Sequence, residues 1–167
     1  MSMKEILAEQ LNENPFTLIG DDWALITAEK EGKVNMMTAS WGSVGVFWNK
    51  PCATVYIRQS RYTKEFVDSQ KRFSLCFFKS EYKRMLSMCG SKSGRDIDKV
   101  KEADLTVEHF EEVPYFKEAR LVLICKKIFS QKMERSGFME EEPFNKNYTN
   151  GDLHQLYIAE IEKILVE

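Results

Sequence analysis

Short segments of strand-forming residues, separated mostly by turn residues rather than by helices, dominate this sequence. Two glycine-containing turns mark the pattern most clearly, one at residues 31–33 and one at residues 150–152. Glycine between two apolar runs is typical of a β-hairpin. The predicted order is strand, strand, strand, helix, strand, helix, strand, strand. This order favours an antiparallel barrel with a few helices over a doubly wound parallel sheet.

The predicted strands share runs of apolar, β-branched and aromatic residues, which are typical of sheets. They cover residues 23–28, 34–41, 52–57, 73–78, 119–133 and 153–166. The fourth of these is apolar enough to be buried on both faces. Two helices are predicted between strands, one over 63–70 with Thr63 as its N-cap and one over 80–89, followed by Gly90.

Three weaker patterns complete the prediction. Residues 42–45 are rich in glycine and predict a loop. Residues 6–11 carry a weak helical face, and residues 96–102 favour a further helical turn. A Rossmann-type glycine motif after a strand is missing, so a classical dinucleotide fold is not expected.

Size and charge limit the class of protein. The chain of 167 residues has the length of one domain, and we predict a single domain over residues 1–167. Its 24 Lys and Arg nearly balance its 26 Asp and Glu, which disfavours nucleic-acid binding because duplex binders usually carry a basic stripe. No apolar run has the length of a transmembrane helix, and the N-terminus lacks a signal pattern. We therefore expect a cytoplasmic protein without membrane contact.

The four cysteines are widely spaced, and the sequence has only two histidines, His109 and His154. A zinc site is hard to assemble from this set, so no metal is predicted. The cysteines are expected to be buried, reduced thiols that behave as small hydrophobic residues. Cys89 is the one candidate for a redox-active thiol, because it stands beside a polar, glycine-containing loop.

The segment that joins the third predicted strand to the first predicted helix has the composition of an anion site. It contains Arg58, Ser60, Arg61, Tyr62 and Thr63. The start of a helix offers unpaired N–H groups, and arginine binds phosphate oxygens with two parallel hydrogen bonds. A solvated loop with a threonine N-cap explains the same residues equally well.

Two further segments have the composition of ligand contacts. Residues 35–42 end a strand with small residues and a tryptophan that could cover a flat ring, although a strand that ends in a turn is the simpler interpretation. Residues 89–99 form a polar loop bracketed by glycines, which is also common in exposed connectors.

Together and in this order, the three segments resemble the flavin reductase-like family of FMN-binding split barrels, in particular its flavoredoxin-like branch. The motifs are Asn35-x-Met37-Thr38-Ala39-Ser40-Trp41-Gly42, Trp48-Asn49-Lys50-Pro51, Arg58-x-Ser60-Arg61-Tyr62-Thr63, Lys92-Ser93-Gly94-Arg95-Asp96-x-Asp98-Lys99 and Gly151-Asp152-Leu153-His154. The resemblance covers nearly the whole chain.

The resemblance implies a mainly β fold with short helices: a six-stranded antiparallel Greek-key split β-barrel, usually a homodimer, with FMN near the subunit interface. It also implies three sets of cofactor-binding residues, for the flavin, for its phosphate and for the closing loop. These are Met37, Thr38, Ala39, Ser40 and Trp41; Arg58, Ser60, Arg61, Tyr62 and Thr63; and Lys92, Ser93, Gly94 and Asp96.

In related flavin reductases a histidine at the position of His154 lies near the flavin and the nicotinamide, so His154 is the candidate catalytic residue. Many of these reductases have histidine directly after the aspartate, whereas Leu153 intervenes here. Lys92 is the candidate for a positive group near the pyrimidine edge of the flavin, where it would favour the anionic reduced form.

The predicted function is a flavin reductase-like oxidoreductase that passes electrons from NAD(P)H through FMN to an acceptor. An electron-transfer flavoprotein with a redox protein as donor is the first alternative. A non-catalytic FMN-binding module is the second, and a split barrel that binds another phosphorylated ligand is the third. The sequence names neither the electron donor nor the final acceptor.

Overall fold

The structure is a computed structural model, and it describes residues 3–167. Within these residues ten strands and five α-helices follow one another. They are β1 (Lys4–Ile6), α1 (Pro15–Thr17), β2 (Ala24–Lys30), β3 (Lys33–Ala39), β4 (Gly42–Phe47), β5 (Lys50–Arg58), α2 (Tyr62–Ser69), β6 (Arg72–Phe77), α3 (Lys83–Ser91), α4 (Lys99–Glu102), β7 (Val107–Phe110), β8 (Val113–Phe116), β9 (Leu121–Lys132), α5 (Glu141–Asn147) and β10 (His154–Val166).

Eight strands form one antiparallel sheet in the order β3-β2-β6-β9-β10-β5-β4, with β1 added along the far end of β10. Strands β7 and β8 form a separate hairpin. Within residues 3–167 no ladder joins the two edge strands β3 and β4, so the sheet curls without closing. The predicted split antiparallel barrel is confirmed, and the open seam lies between β3 and the β4–β5 hairpin.

The central strands are buried on both faces. In β6, Phe73, Leu75 and Phe77 pack into the cluster inside the curled sheet. Cys76, from the opposite face, packs into a second cluster that α3 and the β7–β8 hairpin cover. Side chains alternate between the faces of a strand, so two clusters require apolar residues at successive positions. The prediction of two-sided burial for residues 73–78 is confirmed.

The strand count exceeds the predicted six. Residues 42–45, predicted as a loop, lie in edge strand β4, which pairs with β5 from Gly42 opposite Val55 to Phe47 opposite Lys50. Ile6, predicted as part of a helical face, lies in β1, and Lys4–Ile6 pair with β10. In both places tertiary pairing overrides a weak local preference.

Two helix boundaries also differ from the prediction. Helix α2 begins at Tyr62 with Arg61 at its N-cap position, so Thr63 is not the cap. The Thr63 hydroxyl is buried and accepts a hydrogen bond from Asn35 Nδ2 at 2.9 Å. Helix α3 continues to Ser91, so Gly90 lies within it rather than after it.

Candidate functional site

A cavity of about 200 Å³ opens at the seam between β3 and β5. The end of β3, the end of β5 and the start of β10 supply its lining. The lining residues are Met37, Thr38, Ala39, Ser40, Trp41, Tyr56, Arg58, Arg61 and His154. Arg58 and His154 are direct partners in the β5–β10 ladder, so their side chains share one face. Sequence segments more than a hundred residues apart therefore meet at this cavity.

A second cavity, of about 170 Å³, lies between the start of α2 and the loop after α3. Its lining is polar and carries several cationic side chains. The lining residues are Ser60, Arg61, Tyr62, Thr63, Ser91, Lys92, Ser93, Gly94, Arg95 and Lys99. Arg61 belongs to both linings and joins the two cavities. Asp96 lines neither; it is exposed, and its amide donates to the Ser93 carbonyl at 3.1 Å.

The guanidinium of Arg61 is incompletely paired. Its Nη1 donates to the Gly90 carbonyl at 2.9 Å, whereas Nη2 is sealed from solvent and has no hydrogen-bond partner. Among residues 3–167 it is the one buried side-chain polar atom left without a partner. Burial lowers the pKa of Arg61, and the charge of Arg58 lowers it further while Asp152 opposes both. An unpaired buried cation is unfavourable, and an anionic ligand would relieve it.

Arg58 is paired to the protein itself. Its Nη1 donates to the Asp152 carbonyl at 2.8 Å and its Nη2 to the Asn147 carbonyl at 3.1 Å. Ser60 is held by the same loop, because its amide and its hydroxyl both donate to the Asp152 carboxylate. Two residues predicted as phosphate ligands thus anchor the chain that leads into β10. Their direct contact with a phosphate stays a prediction.

The loop that contains Gly94 packs tightly on β3. A Cβ at Gly94 would lie 2.9 Å from Asn35 Cγ and 3.1 Å from Tyr62 Cδ1, so only glycine fits there. Arg95 ties the loop to α2: it donates to the Ser60 carbonyl at 3.1 Å. Its guanidinium also lies over the Tyr62 ring at 4.7 Å from the ring centroid. The loop is therefore built against the start of α2.

Lys99 is a buried cation that sequence reasoning did not select. Its Nζ donates to the Met36 carbonyl at 2.9 Å and to the Cys89 carbonyl at 2.7 Å. Burial, and after it the charge of Arg61, lower the pKa of Lys99 to about 8. Lys99 and Asn35 both stand in the segments that carry the family resemblance, but a residue pattern does not reveal that a lysine is buried.

His154 is buried at the start of β10, and its ring centroid lies 5.5 Å from that of Trp41. Its Nδ1 is 2.7 Å from the hydroxyl of Tyr148, another residue that sequence reasoning missed. Burial lowers the pKa of His154 to about 4; Arg58 lowers it as well, and Asp152 opposes the shift. The imidazole is therefore neutral at physiological pH.

The comparison with known families agrees with this geometry. The family model described as flavin reductase like domain matches residues 19–167. The chain belongs to this family. No curated protein sequence matches the chain.

Solved structures share the fold of this chain. The chain is similar to a flavoredoxin from Methanosarcina acetivorans, with 25% identity, a TM-score of 0.68 and coverage of 96% of this chain and 76% of that one. It shares its fold with an FMN-binding domain of a flavin reductases-like enzyme from Shewanella baltica, with 19% identity, a TM-score of 0.72 and coverage of 99% and 77%. It also shares its fold with a flavoredoxin of Desulfovibrio vulgaris, with 21% identity, a TM-score of 0.68 and coverage of 99% and 77%. The resemblance to the flavin reductase-like family is confirmed.

The four cysteines are all buried free thiols, as predicted. Cys89 lies near the second cavity, but its Sγ donates to Met85 Sδ at 3.7 Å, and burial raises its pKa to about 11 while Lys99 opposes that shift. A protonated thiol is a weak nucleophile, so the geometry does not favour a redox role for Cys89. Among residues 3–167 no helix combines the length and apolar character needed to cross a bilayer.

Proposed function

We propose that the protein binds FMN in the two cavities joined at Arg61 and passes electrons from NAD(P)H through it to an acceptor. The observation that carries this proposal is the sealed, unpaired Nη2 of Arg61. A phosphate monoester would pair with it, and the first amides of α2 would add donors from a helix start. Charge-assisted bonds from arginine to phosphate are among the strongest hydrogen bonds in proteins.

Apart from Asp96, the remaining predicted residues divide between the two cavities. Ala39, Ser40 and Trp41 would contact the flat ring from the end of β3. The Thr38 hydroxyl donates to the Leu86 carbonyl in α3, so it could meet the ligand only as an acceptor. Lys92, Ser93 and Gly94 would close over the ring from the loop after α3. The two cavities together have the size of a small-molecule site, for which ~300–1,000 Å³ is usual.

Bound FMN would supply an acceptor of hydride and a donor of single electrons. The protein residues would hold the ring and set the charge around it. Lys92 is exposed at the rim, where a positive group would favour negative charge on the ring. Trp41 is 50% exposed and would shield one side of the cavity from water. His154 would contribute a hydrogen bond as a neutral group.

A carrier with a redox protein as its electron donor is the second candidate. The 25% identity with a flavoredoxin supports it. We also propose a homodimer, as the family resemblance implies. Several large apolar side chains near the β4–β5 turn support a covered surface there. They are Val46, 79% exposed, Phe47, 47%, Trp48, 51%, and Phe129, 40%.

The deciding experiment is an anaerobic absorbance titration of the FMN-loaded protein with NADH and then NADPH. Loss of the oxidised-flavin bands with either nucleotide would support the nicotinamide-linked reductase. Bands that neither nucleotide bleaches, but a protein donor does, would move the proposal to the carrier. Tight FMN binding without turnover of any donor and acceptor would indicate a binding module. Failure to retain FMN would contradict the proposal as a whole.

A further inference from the structure

Tyr148 follows the last turn of α5 and is fixed from several sides. It is 6% exposed, and the rings of Phe138 and Phe144 pack against it with centroids 5.6 and 6.2 Å away. The guanidinium of Arg58 lies over its ring at 5.0 Å from the centroid. Its hydroxyl is 2.7 Å from Nδ1 of His154. A side chain packed this way holds its partner in one orientation.

The direction of this hydrogen bond follows from the alternatives open to each atom. The Tyr148 hydroxyl has two possible acceptors, His154 Nδ1 at 2.7 Å and Met133 Sδ at 3.9 Å. A thioether is a weak acceptor, whereas an unprotonated imidazole nitrogen is a strong one. Burial raises the pKa of Tyr148, although the charge of Arg58 over its ring opposes that shift, so the phenol stays protonated and has a proton to donate. The phenol therefore donates, and Nδ1 accepts.

We propose that Tyr148 is a positioning residue that holds His154 in the neutral Nε2–H tautomer, so that the imidazole presents a hydrogen-bond donor to the cavity. In a neutral imidazole with an unprotonated Nδ1, the proton is on Nε2. Within residues 3–167 the Nε2 nitrogen of His154 has no hydrogen-bond partner. It is accessible to solvent, so it faces the open cavity that His154 lines. A carbonyl oxygen of a bound flavin or nicotinamide is the kind of acceptor it would recognise.

The charged groups around His154 keep it in this form. Arg58 in β5 opposes a second proton, whereas Asp152 in the preceding loop favours one. The Tyr148 hydroxyl faces it from the residue after α5, and the Tyr56 ring of β5 lies edge-on with the ring centroids 6.4 Å apart. Burial and Arg58 together outweigh Asp152. His154 thus binds a ligand as a donor and does not deliver a proton at neutral pH.

The test is nitrogen-15 NMR of the imidazole in the flavin-free protein. His109→Gln leaves His154 as the single histidine, because the chain contains two. Long-range proton–nitrogen spectra between pH 5.5 and 8 are expected to show Nε2 protonated and Nδ1 as a hydrogen-bonded acceptor, without titration. A protonated Nδ1, or a midpoint of titration within this range, would overturn the proposal.

Tyr148→Phe and Tyr56→Phe in the same background separate positioning from packing. In Tyr148→Phe we expect the Nδ1 resonance to move to that of an unbonded nitrogen and the second tautomer to become detectable. Tyr56→Phe keeps a ring near His154 and is expected to leave the spectrum unchanged. An Nδ1 resonance that Tyr148→Phe does not move would contradict the role of Tyr148; if that variant does not fold, the parent spectrum alone decides.

The inference rests on the proposed function only for the identity of the ligand. The spectra contain no flavin, so failure of FMN binding leaves their outcome unaffected. Conversely, FMN binding with a different tautomer would refute this inference and leave the proposed function standing.

Discussion

Two arginines stand three positions apart, at the end of β5 and at the start of α2. They differ in how completely the protein satisfies their hydrogen bonds. Arg58 donates to two carbonyls of the segment that leads into β10. Arg61 donates to one carbonyl of α3 and keeps a second nitrogen that is buried and unpaired. Both line the same cavity.

The difference lies in hydrogen-bond satisfaction rather than in residue type or position. A guanidinium whose two terminal nitrogens both bind the protein holds two parts of it together, whereas one that keeps a buried, unpaired nitrogen is unfavourable until a ligand binds. We therefore expect Arg58 to hold the site together and Arg61 to bind its ligand. Four substitutions test this division.

Arg61→Gln is expected to have the largest effect, and on binding rather than on folding. Hydrogen bonds to charged groups contribute about 1.5–3 kcal/mol, so FMN affinity should fall about 10- to 100-fold. The free energy of unfolding should stay nearly constant, because the substitution also removes a buried, unpaired cation. Fluorescence titration with FMN and urea unfolding measure the two quantities. Unchanged affinity would contradict the assignment of Arg61 to the phosphate.

Arg58→Gln is expected to show the reverse pattern. Loss of the bonds to Asp152 and Asn147 should lower the free energy of unfolding by about 1.5–3 kcal/mol. FMN affinity should fall less than it does in Arg61→Gln. The same two measurements on both variants form the comparison. If Arg58→Gln abolished FMN binding and left stability intact, Arg58 would be a direct ligand and the division between the arginines would fail.

Gly94→Ala sharpens the comparison from the opposite wall of the second cavity. The added methyl group would press on the side chains of Asn35 and Tyr62. Overpacking of this kind costs about 1–3 kcal/mol, which we expect as lower stability together with weaker FMN binding. Gly137→Ala is the matched control, because a Cβ at Gly137 meets nothing within 4 Å. Equal effects of both substitutions would show that the loop around Gly94 is not built for the site.

Lys99 gives the smallest expected effect, a dependence of stability on pH. Its folded-state pKa is about 8, whereas lysine in an unfolded chain titrates near ~10.4. Between these values the unfolded chain binds more protons, so the contribution of Lys99 to stability rises with pH. From pH 8 to 9.5 the wild type should gain about 1.5 kcal/mol more than Lys99→Met.

Urea unfolding at both pH values measures this difference, and comparing the change with pH removes the loss of hydrogen bonds that Lys99→Met also causes. Parallel pH profiles of the two proteins would show that the folded state does not lower the pKa of Lys99.

Much of the fold was predictable because alternation and turn chemistry are local. The hairpin at Gly32 and the doubly buried strand β6 follow from residues close in sequence. Strand β4 was not predictable, because its glycines indicate a loop and only pairing with β5 makes it a strand. The β7–β8 hairpin was also missed: its strands have four residues each, too few to show a period.

The site was predictable as a set of segments but not as a set of bonds. The residues around the helix start predicted Arg58 and Arg61 as one phosphate site. Their different hydrogen bonds could not be predicted locally, because the carbonyls that accept from Arg58 lie about ninety positions away. Tyr148 was missed for the same reason: its contact with His154 depends on how the residues between β9 and β10 fold back. The burial of Lys99 likewise depends on β3 and α3.

Strand β10 pairs with β5, β9 and β1. The sheet therefore lacks a central strand until β10 has docked, and most of its pairings join residues far apart in sequence. Long-range pairings of this kind slow folding, because loop closure precedes any gain from the contacts. Until β10 docks, β5 and β9 each present an unpaired edge that can associate with other chains. Refolding yield should therefore fall as protein concentration rises, and the cavity that contains His154 is completed only when β10 docks.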